Sequence, residues 1–365
     1  MKMLRTLAAI VVSLITLTAL LTSCAPRGNS AIEGSTVPGV TAVKMIDAKK
    51  GWALKGAAVL KTTDSGRTWK DVSPKGDLPP EDSDAAFLDS DHAWLAVTVP
   101  QPDQMRGTLR IYRTADGGST WESSDIAEPA VVGKLTFLNA NDGWAVLHQG
   151  IAMMHEQVVV FGTTDGGKTW SPFSATSLEG EEGSLPLTGD KSGLSFATKD
   201  RGFVTGYWPI PGSPYLFSTT DGGRIWSQTD LPIPAGSEGA HFFTYPPVFS
   251  SENEGVLPVS IRDAEQNFIF YSTKNGGETW QPGSPISFES SNLTWDSPSA
   301  GLIIVATGEG LQVSRDAGKS WSKVSPSIDL GEDTVMSFIS ETTGWVLSQG
   351  NFYRTTDGGK TWKRV

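Results

Sequence analysis

The 365-residue chain holds a single cysteine, Cys24, and only four histidines. One cysteine excludes an internal disulfide framework. The histidines are scattered; His148 and His155 flank the stretch QGIAMM with Glu156 as the one carboxylate at ligand spacing, so they read as ordinary strand or loop residues. No metal and no other cofactor is expected. Positive charge is scarce, with 29 Lys and Arg against 40 Asp and Glu and a formal net charge of −11, which argues against nucleic acid or anionic lipid as a ligand of the folded domain. Outside the N-terminus no window of helical length repeats its apolar residues with a 3.6-residue period, which excludes a helical architecture. The stretch TTDGGKT lacks the G-x-x-x-x-G-K-[ST] spacing of a phosphate loop and precedes a strand pattern, not a helix.

The one long apolar run is short for a membrane span. Lys2 and Arg5 precede LAAIVVSLITLTALL, 15 residues at 7–21, whereas a spanning helix needs about 20. This is the pattern of a secretory leader. The following LTSC, 21–24, resembles the bacterial lipobox, which implies cleavage after residue 23 and acylation of Cys24. Acylation also removes the free thiol that an exported protein would otherwise carry. Loss of Lys2 and Arg5 with the leader takes the net charge from −11 to −13. Residues 24–39, CAPRGNSAIEGSTVPG, read as a flexible tether of at most about 55 Å, leaving 40–365 as the folded domain.

That domain is built on repetition. KTTDSGRTW (61–69), RTADGGSTW (113–121), GTTDGGKTW (162–170), STTDGGRIW (218–226), STKNGGETW (272–280), VSRDAGKSW (313–321) and RTTDGGKTW (354–362) are seven copies of one phrase, spaced 52, 49, 56, 54, 41 and 41 residues apart. Periods of this size signal a solenoid, propeller or array. Between copies lie short runs rich in Val, Ile, Phe, Trp and Thr, bounded by turn residues, which read as strands, four to a repeat. The expectation is an all-β, seven-bladed β-propeller of four-stranded antiparallel blades, whose radial arrangement leaves only short sheet edges and gives each blade face a neighbour to bury against.

The phrase has a physical reading. Asp64, Asp116, Asp165, Asp221, Asn275, Asp316 and Asp357 each stand two residues before a glycine, and Asp-Gly or Asn-Gly is the strongest sequence signal for a tight hairpin needing φ > 0. The carboxylate can accept N–H groups of its own turn. Trp69, Trp121, Trp170, Trp226, Trp280, Trp321 and Trp362 then follow, expected to wedge where blades meet. A catalytic group is needed once, whereas this one occurs seven times, so the structural role is favoured over catalysis.

The phrase S/T-x-D-x-G-x-T-W resembles the Asp-box or BNR repeat of sialidases, sortilin-type receptors, xyloglucan hydrolases and photosystem II assembly and stability factors. FLNANDGWAV (137–146) is most similar to the last group and its bacterial relatives. The resemblance covers roughly 40–365 and implies that each box forms the turn between the third and fourth strands of a blade, on the face away from any active site. The F/Y-R-I-P signature of sialidases is absent, since YWPIP lacks the arginine, and Arg106 and Arg262 are too few and scattered to make an arginine triad. The acidic charge also departs from the basic patch expected of the photosystem II factors.

Alternation along a meander assigns the loops to faces. The connections from second to third strand and from blade to blade share the face opposite the boxes. The long segments 98–107, 173–192, 207–215 and 231–247 are all expected there, three of them around blade 4, carrying Tyr207, Trp208, Tyr215, Phe242, Phe243 and Tyr245. Loops on a rigid scaffold often carry function, and these aromatics suit contact with a protein, or with carbohydrate, if they do not simply pack on one another. The resulting expectation is a non-catalytic, lipid-anchored scaffold on the extracytoplasmic side of a membrane, held there only through its acylated N-terminus. Its partner would be a membrane-associated or extracytoplasmic protein. A surface glycosidase or a carbohydrate-binding propeller is the competing expectation. The final strand, TWKRV, is short, which makes residues near 30–40 candidates to pair beside it.

Overall fold

In the computed structural model seven antiparallel meanders follow one another along the chain, at 42–71, 83–130, 131–177, 190–228, 241–287, 294–324 and 335–364. Residues 31–33 and 38–365 are described, apart from 77, 80–81, 102–105, 153–154, 178–180, 264–265, 288–292, 308 and 332. Cys24 and the leader 1–23 lie outside the described residues. Blade 1 shows the plan: Ala42–Met45, Gly51–Lys55, Ala58–Thr62 and Thr68–Asp71 pair in order. First strands of neighbouring blades adjoin, as Ala42–Met45 does Val335–Phe338, so the first strand is innermost. One strand, Glu122–Phe137, serves two blades, pairing through 122–130 with blade 2 and through 131–137 with blade 3.

The seven boxes fall on the turns between third and fourth strands, and each box tryptophan enters a separate apolar cluster. Trp69 sits between blades 7 and 1, Trp121 between 1 and 2, Trp170 between 2 and 3, and Trp226 between 3 and 4. Trp280, Trp321 and Trp362 fill the next three junctions. Trp69, Trp226, Trp280 and Trp362 are buried; Trp121, Trp170 and Trp321 are half-buried.

Two further devices recur that the repeat phrase does not contain. The tryptophan of the second strand donates its indole N–H into the next blade: Trp94 to Gly166 O (2.9 Å), Trp144 to Gly222 O (2.9 Å) and Trp345 to Ser65 O (2.9 Å), each in a box turn. Four junctions are also plugged by an apolar residue that follows the outer strand of one blade and precedes the inner strand of the next: Leu185, Leu231, Ile286 and Leu330.

Three loop expectations need correction. Segment 231–247 is not all loop: His241–Thr244 is a strand that pairs with Tyr207 of blade 4 on one side and Val259–Arg262 of blade 5 on the other, merging the two blades into one sheet. Segment 173–192 does not stay on the face opposite the boxes. Leu185–Pro186 pairs parallel to the outer strand of blade 3, and Gly183 O accepts the N–H of the box residue Trp226 at 2.9 Å. The insertion therefore fills the cleft between blades 3 and 4. Finally, Ala31–Glu33, within the segment read as a tether, pairs antiparallel with the outer strand of blade 1, not beside Lys363–Arg364.

The ring closes without a shared strand: blade 7 takes its strands from 335–364 and blade 1 from 42–71. Closure rests on the cluster of Met45, Leu60, Trp69, Trp345 and Phe352, on the Trp345 bond to Ser65, and on the Met45 N–H donated to Ser337 Oγ at 2.9 Å.

Candidate functional site: the loop face at blades 4 and 5

The box carboxylates are consumed by their own turns. Asp165 accepts from Thr163 Oγ1 (2.8 Å), the N–H of Lys168 and Thr169 (2.9 Å each) and Thr169 Oγ1 (2.6 Å). Asp116, Asp316 and Asp357 repeat the pattern. Burial works against the Asp165 carboxylate, but the Thr169 hydroxyl and N–H outweigh it and hold the group at about 2. For Asp116 and Asp357 the threonine four residues on is the largest cause, again reaching about 2. Asn275 fills the same turn with its amide, its Nδ2 donating to Thr279 Oγ1 at 3.0 Å. Hollows of about 410 and 540 Å³ on this face are lined by such spent groups, Asp116 and Asp165 in one and Asn275 in the other.

The opposite face differs. Strand His241–Thr244 alternates, placing Phe242 and Thr244 inward, both buried, and His241 and Phe243 outward. Phe243 stacks on Tyr207 with ring centres 4.2 Å apart and planes at 7°. The Arg262 guanidinium lies over the Phe243 ring at 4.2 Å, a cation–π arrangement. His241 is the cross-strand partner of Arg262, and its Nδ1 stands 3.4 Å from Tyr207 Oη. Arg262 is exposed, and among the described residues no carboxylate lies at ion-pair distance from it. Ile210, 49% exposed, stands in the adjoining 207–215 loop.

Of the six aromatics read from the sequence, then, Tyr207 and Phe243 come together, each half-buried, with Phe243 on the outward side of its strand. Trp208 and Tyr245 are half-buried, the first against Tyr215 and Phe217, the second against Phe268. Tyr215 and Phe242 are corrected to core: both are fully buried, in the clusters between blades 3 and 4 and between 4 and 5. Phe242 sits on the inward side of its strand and Tyr215 lies just before the strand Leu216–Thr219, and neither ring reaches the surface. The geometry adds His241, and it gives Arg262 a role; cross-strand register is the signal that finds both, and it is invisible while 241–244 reads as loop.

A buried charge network holds this corner of the face. Lys191 Nζ donates to the carbonyls of Gly189 (2.7 Å), Leu187 (3.1 Å) and Glu156 (3.1 Å). Burial pulls the lysine down to about 8, with Glu156 opposing. Glu156 also meets His148 Nδ1 at 2.6 Å, and its carboxylate accepts the Lys191 N–H. Among the described residues no group of three or more His, Cys, Asp or Glu is placed to hold a metal ion.

A family model, BNR/Asp-box repeat, matches residues 353–364. The chain carries the Asp-box repeat. It is similar to the photosystem II assembly lipoprotein Ycf48 of Synechococcus, 26% identical over 86% of this chain and 83% of the relative. It is also similar to the chloroplast photosystem II stability/assembly factor HCF136 of Cyanidioschyzon merolae, at 25% over 74% of this chain and 72% of the relative. An oligoxyloglucan-reducing end-specific xyloglucanase of Emericella nidulans is 29% identical, over 56% of this chain but 27% of the enzyme. Among solved structures, YCF48 bound to D1 peptide superposes with a TM-score of 0.55 at 19% identity, covering 90% of this chain and 95% of that one. The Asp-box propeller is thus a shared fold.

Proposed function

We propose that the chain is a non-catalytic, extracytoplasmic assembly scaffold, anchored by acylated Cys24, that holds a protein partner on the loop face at blades 4 and 5. The carrying observation is the Tyr207–Phe243–Arg262 stack, two half-buried rings under an exposed guanidinium that no carboxylate among the described residues neutralises. In a chain of net charge −11 such an arginine suits a carboxylate-bearing peptide segment, because a planar guanidinium binds carboxylate through paired N–H donors. The relatives named for photosystem II assembly support the scaffold reading, and the structure of YCF48 bound to D1 peptide supports a peptide partner. In a photosynthetic host the partner would belong to photosystem II. The anchor would then stand on the outer side of the cytoplasmic membrane, or on the outer membrane or the lumenal side of a thylakoid, according to the host.

The test is affinity capture from detergent-solubilised membranes by wild type, R262E and Y207A, with melting temperature as the fold control. Wild type is expected to retain one membrane-associated partner, and both variants to lose it while melting as wild type does. Retention by both variants overturns the site. The enzymatic alternative is favoured by the partial similarity to a xyloglucanase; release of reducing sugar from xyloglucan or sialosides by the purified chain would overturn the non-catalytic reading. Cys24→Ser is expected to move the protein from the membrane fraction to the soluble one, and a protein that stays membrane-bound would refute the acyl anchor.

A further inference from the structure

The acidic total charge conceals a local excess of the opposite sign. Residues 42–76, blade 1 and the turn after it, hold eight of the 29 Lys and Arg but three of the 40 Asp and Glu. Those three acids are turned onto their own backbone. Asp47 accepts the N–H of Lys49 (2.7 Å) and Lys50 (2.8 Å), Asp64 that of Thr68 (2.9 Å) and Asp71 that of Ser73 (2.9 Å). Four cations are exposed at one corner of the blade. Lys49 and Lys50 stand in the turn after Ala42–Met45, and Arg67 stands in the box turn. The two turns touch: Lys49 O accepts the Ser65 N–H at 2.8 Å, and Ala48 O accepts from Ser65 Oγ at 2.7 Å. Lys70 lies on the adjoining outer strand, Thr68–Asp71. Among the described residues no carboxylate is at ion-pair distance from any of the four. The neighbouring blade 7 adds Lys360 and Lys363, both exposed.

The N-terminal segment arrives at the same edge. Ala31 is the antiparallel partner of Lys70, and Ile32 of Trp69. Cys24 stands seven residues before Ala31, so it can be no further than about 25 Å from this edge strand. A tether free along its whole length would reach about 55 Å. On the reading of Cys24 as the acyl anchor, the outer edge of blade 1 is the part of the domain kept at the membrane. A bilayer with acidic headgroups has a negative surface potential, which decays within about 8 Å at physiological salt. Packed sheets lie about 10 Å apart, so acids two or more blades away are screened from a surface touching this corner. The local sign governs there, not the total.

We propose that this corner of blade 1 is a second membrane contact: it lies on anionic lipid headgroups while strand Ala31–Glu33 holds the anchor beside it. The proposal rests on the acyl-anchor reading. It leaves the loop face of blades 4 and 5, on the far side of the ring, free for a partner.

Co-sedimentation of residues 25–365, which contain every described strand, with lipid vesicles tests the surface. No acyl chain is present, so the outcome does not depend on whether Cys24 is acylated. The probes are vesicles of phosphatidylcholine alone and with about one-third phosphatidylglycerol. Wild type is expected to pellet with the anionic vesicles only, and to be released by about 0.5 M salt. Each near-surface cation contributes about fivefold, so K49E/K50E/K70E is expected to lower partitioning by about 100-fold. K168E/K199E/K274E makes the same change in total charge on blades 3 to 5 and is expected to bind within about twofold of wild type. Equal losses in the two triple variants overturn the proposal, because total charge and not this corner would then decide. Equal binding to neutral vesicles overturns it too, as does no binding to anionic ones, whichever other polyanion the corner then takes. If the first triple variant does not melt as wild type does, a headgroup quencher decides, read by a label on Thr63→Cys of blade 1 or on Asn253→Cys of blade 5. Quenching at 63 alone is expected, and equal quenching at both refutes the proposal.

Discussion

At the scale of single residues, the box aspartate and its glycine do separate work. The carboxylate gathers donors that the turn would otherwise leave to solvent. Asp165→Ala should destabilise by about 1 kcal/mol, the net worth of hydrogen bonds at an exposed turn. Asp165→Asn should cost less, because Asn275 shows that an amide can fill the turn; urea unfolding of the two variants checks the order. The same depressed carboxyls set an acid limit. A folded-state value of about 2 below an unfolded one of about 3.9 gives stability that is intact above pH 4 and lost as pH falls through 2. The glycine acts across the junction. Gly277 has φ +85°, and a Cβ there would lie 2.2 Å from Phe203 Cζ of blade 4. Gly277→Ala therefore combines left-handed strain with overpacking and should cost at least about 2 kcal/mol. A melting temperature within a degree of wild type would contradict that.

At the scale of elements, legibility in the sequence depends on how local the cause is. Each box is a turn whose chemistry lies within six residues, so all seven, and the wedge after each, can be read directly. Strand His241–Thr244 cannot. It is flanked by glycine and proline, and its partners are Tyr207 and Val259–Arg262, too distant for any local pattern to announce. Read as loop, the segment has no parity, so Phe242 is assigned to the surface together with its neighbour Phe243, and only the second belongs there. The second-strand tryptophans are visible as GWA and GWV words, but their indole N–H bonds to the next box depend on ring geometry. Trp345 shows their worth: Trp345→Phe keeps an aromatic ring in the seam cluster but strands the Ser65 carbonyl. It should lose about 1–2 kcal/mol, and Trp345→Ala about 3–5 kcal/mol, in two-state unfolding fits.

At the scale of the whole molecule, the seven junctions are alike in plan but differ in what secures them. Blades 4 and 5 share a sheet, and blades 2 and 3 share the strand Glu122–Phe137. The seam between 7 and 1 has side-chain contacts and a few hydrogen bonds. The box at 354–362 is therefore part of the closure. Asp357 turns the chain, Trp362 fills the junction of blades 6 and 7, and Val365 packs against the seam cluster. Removing residues 356–365 should open both flanks of blade 7 at once. Because each blade face is buried only by its neighbour, the loss should spread. The shortened chain should bind a hydrophobic dye and lose its single cooperative melt, whereas a chain starting at residue 38 should melt within about 2 °C of the full chain, having given up only an edge strand. Equal melts for the two shortened chains would mean that closure does not govern the fold's stability.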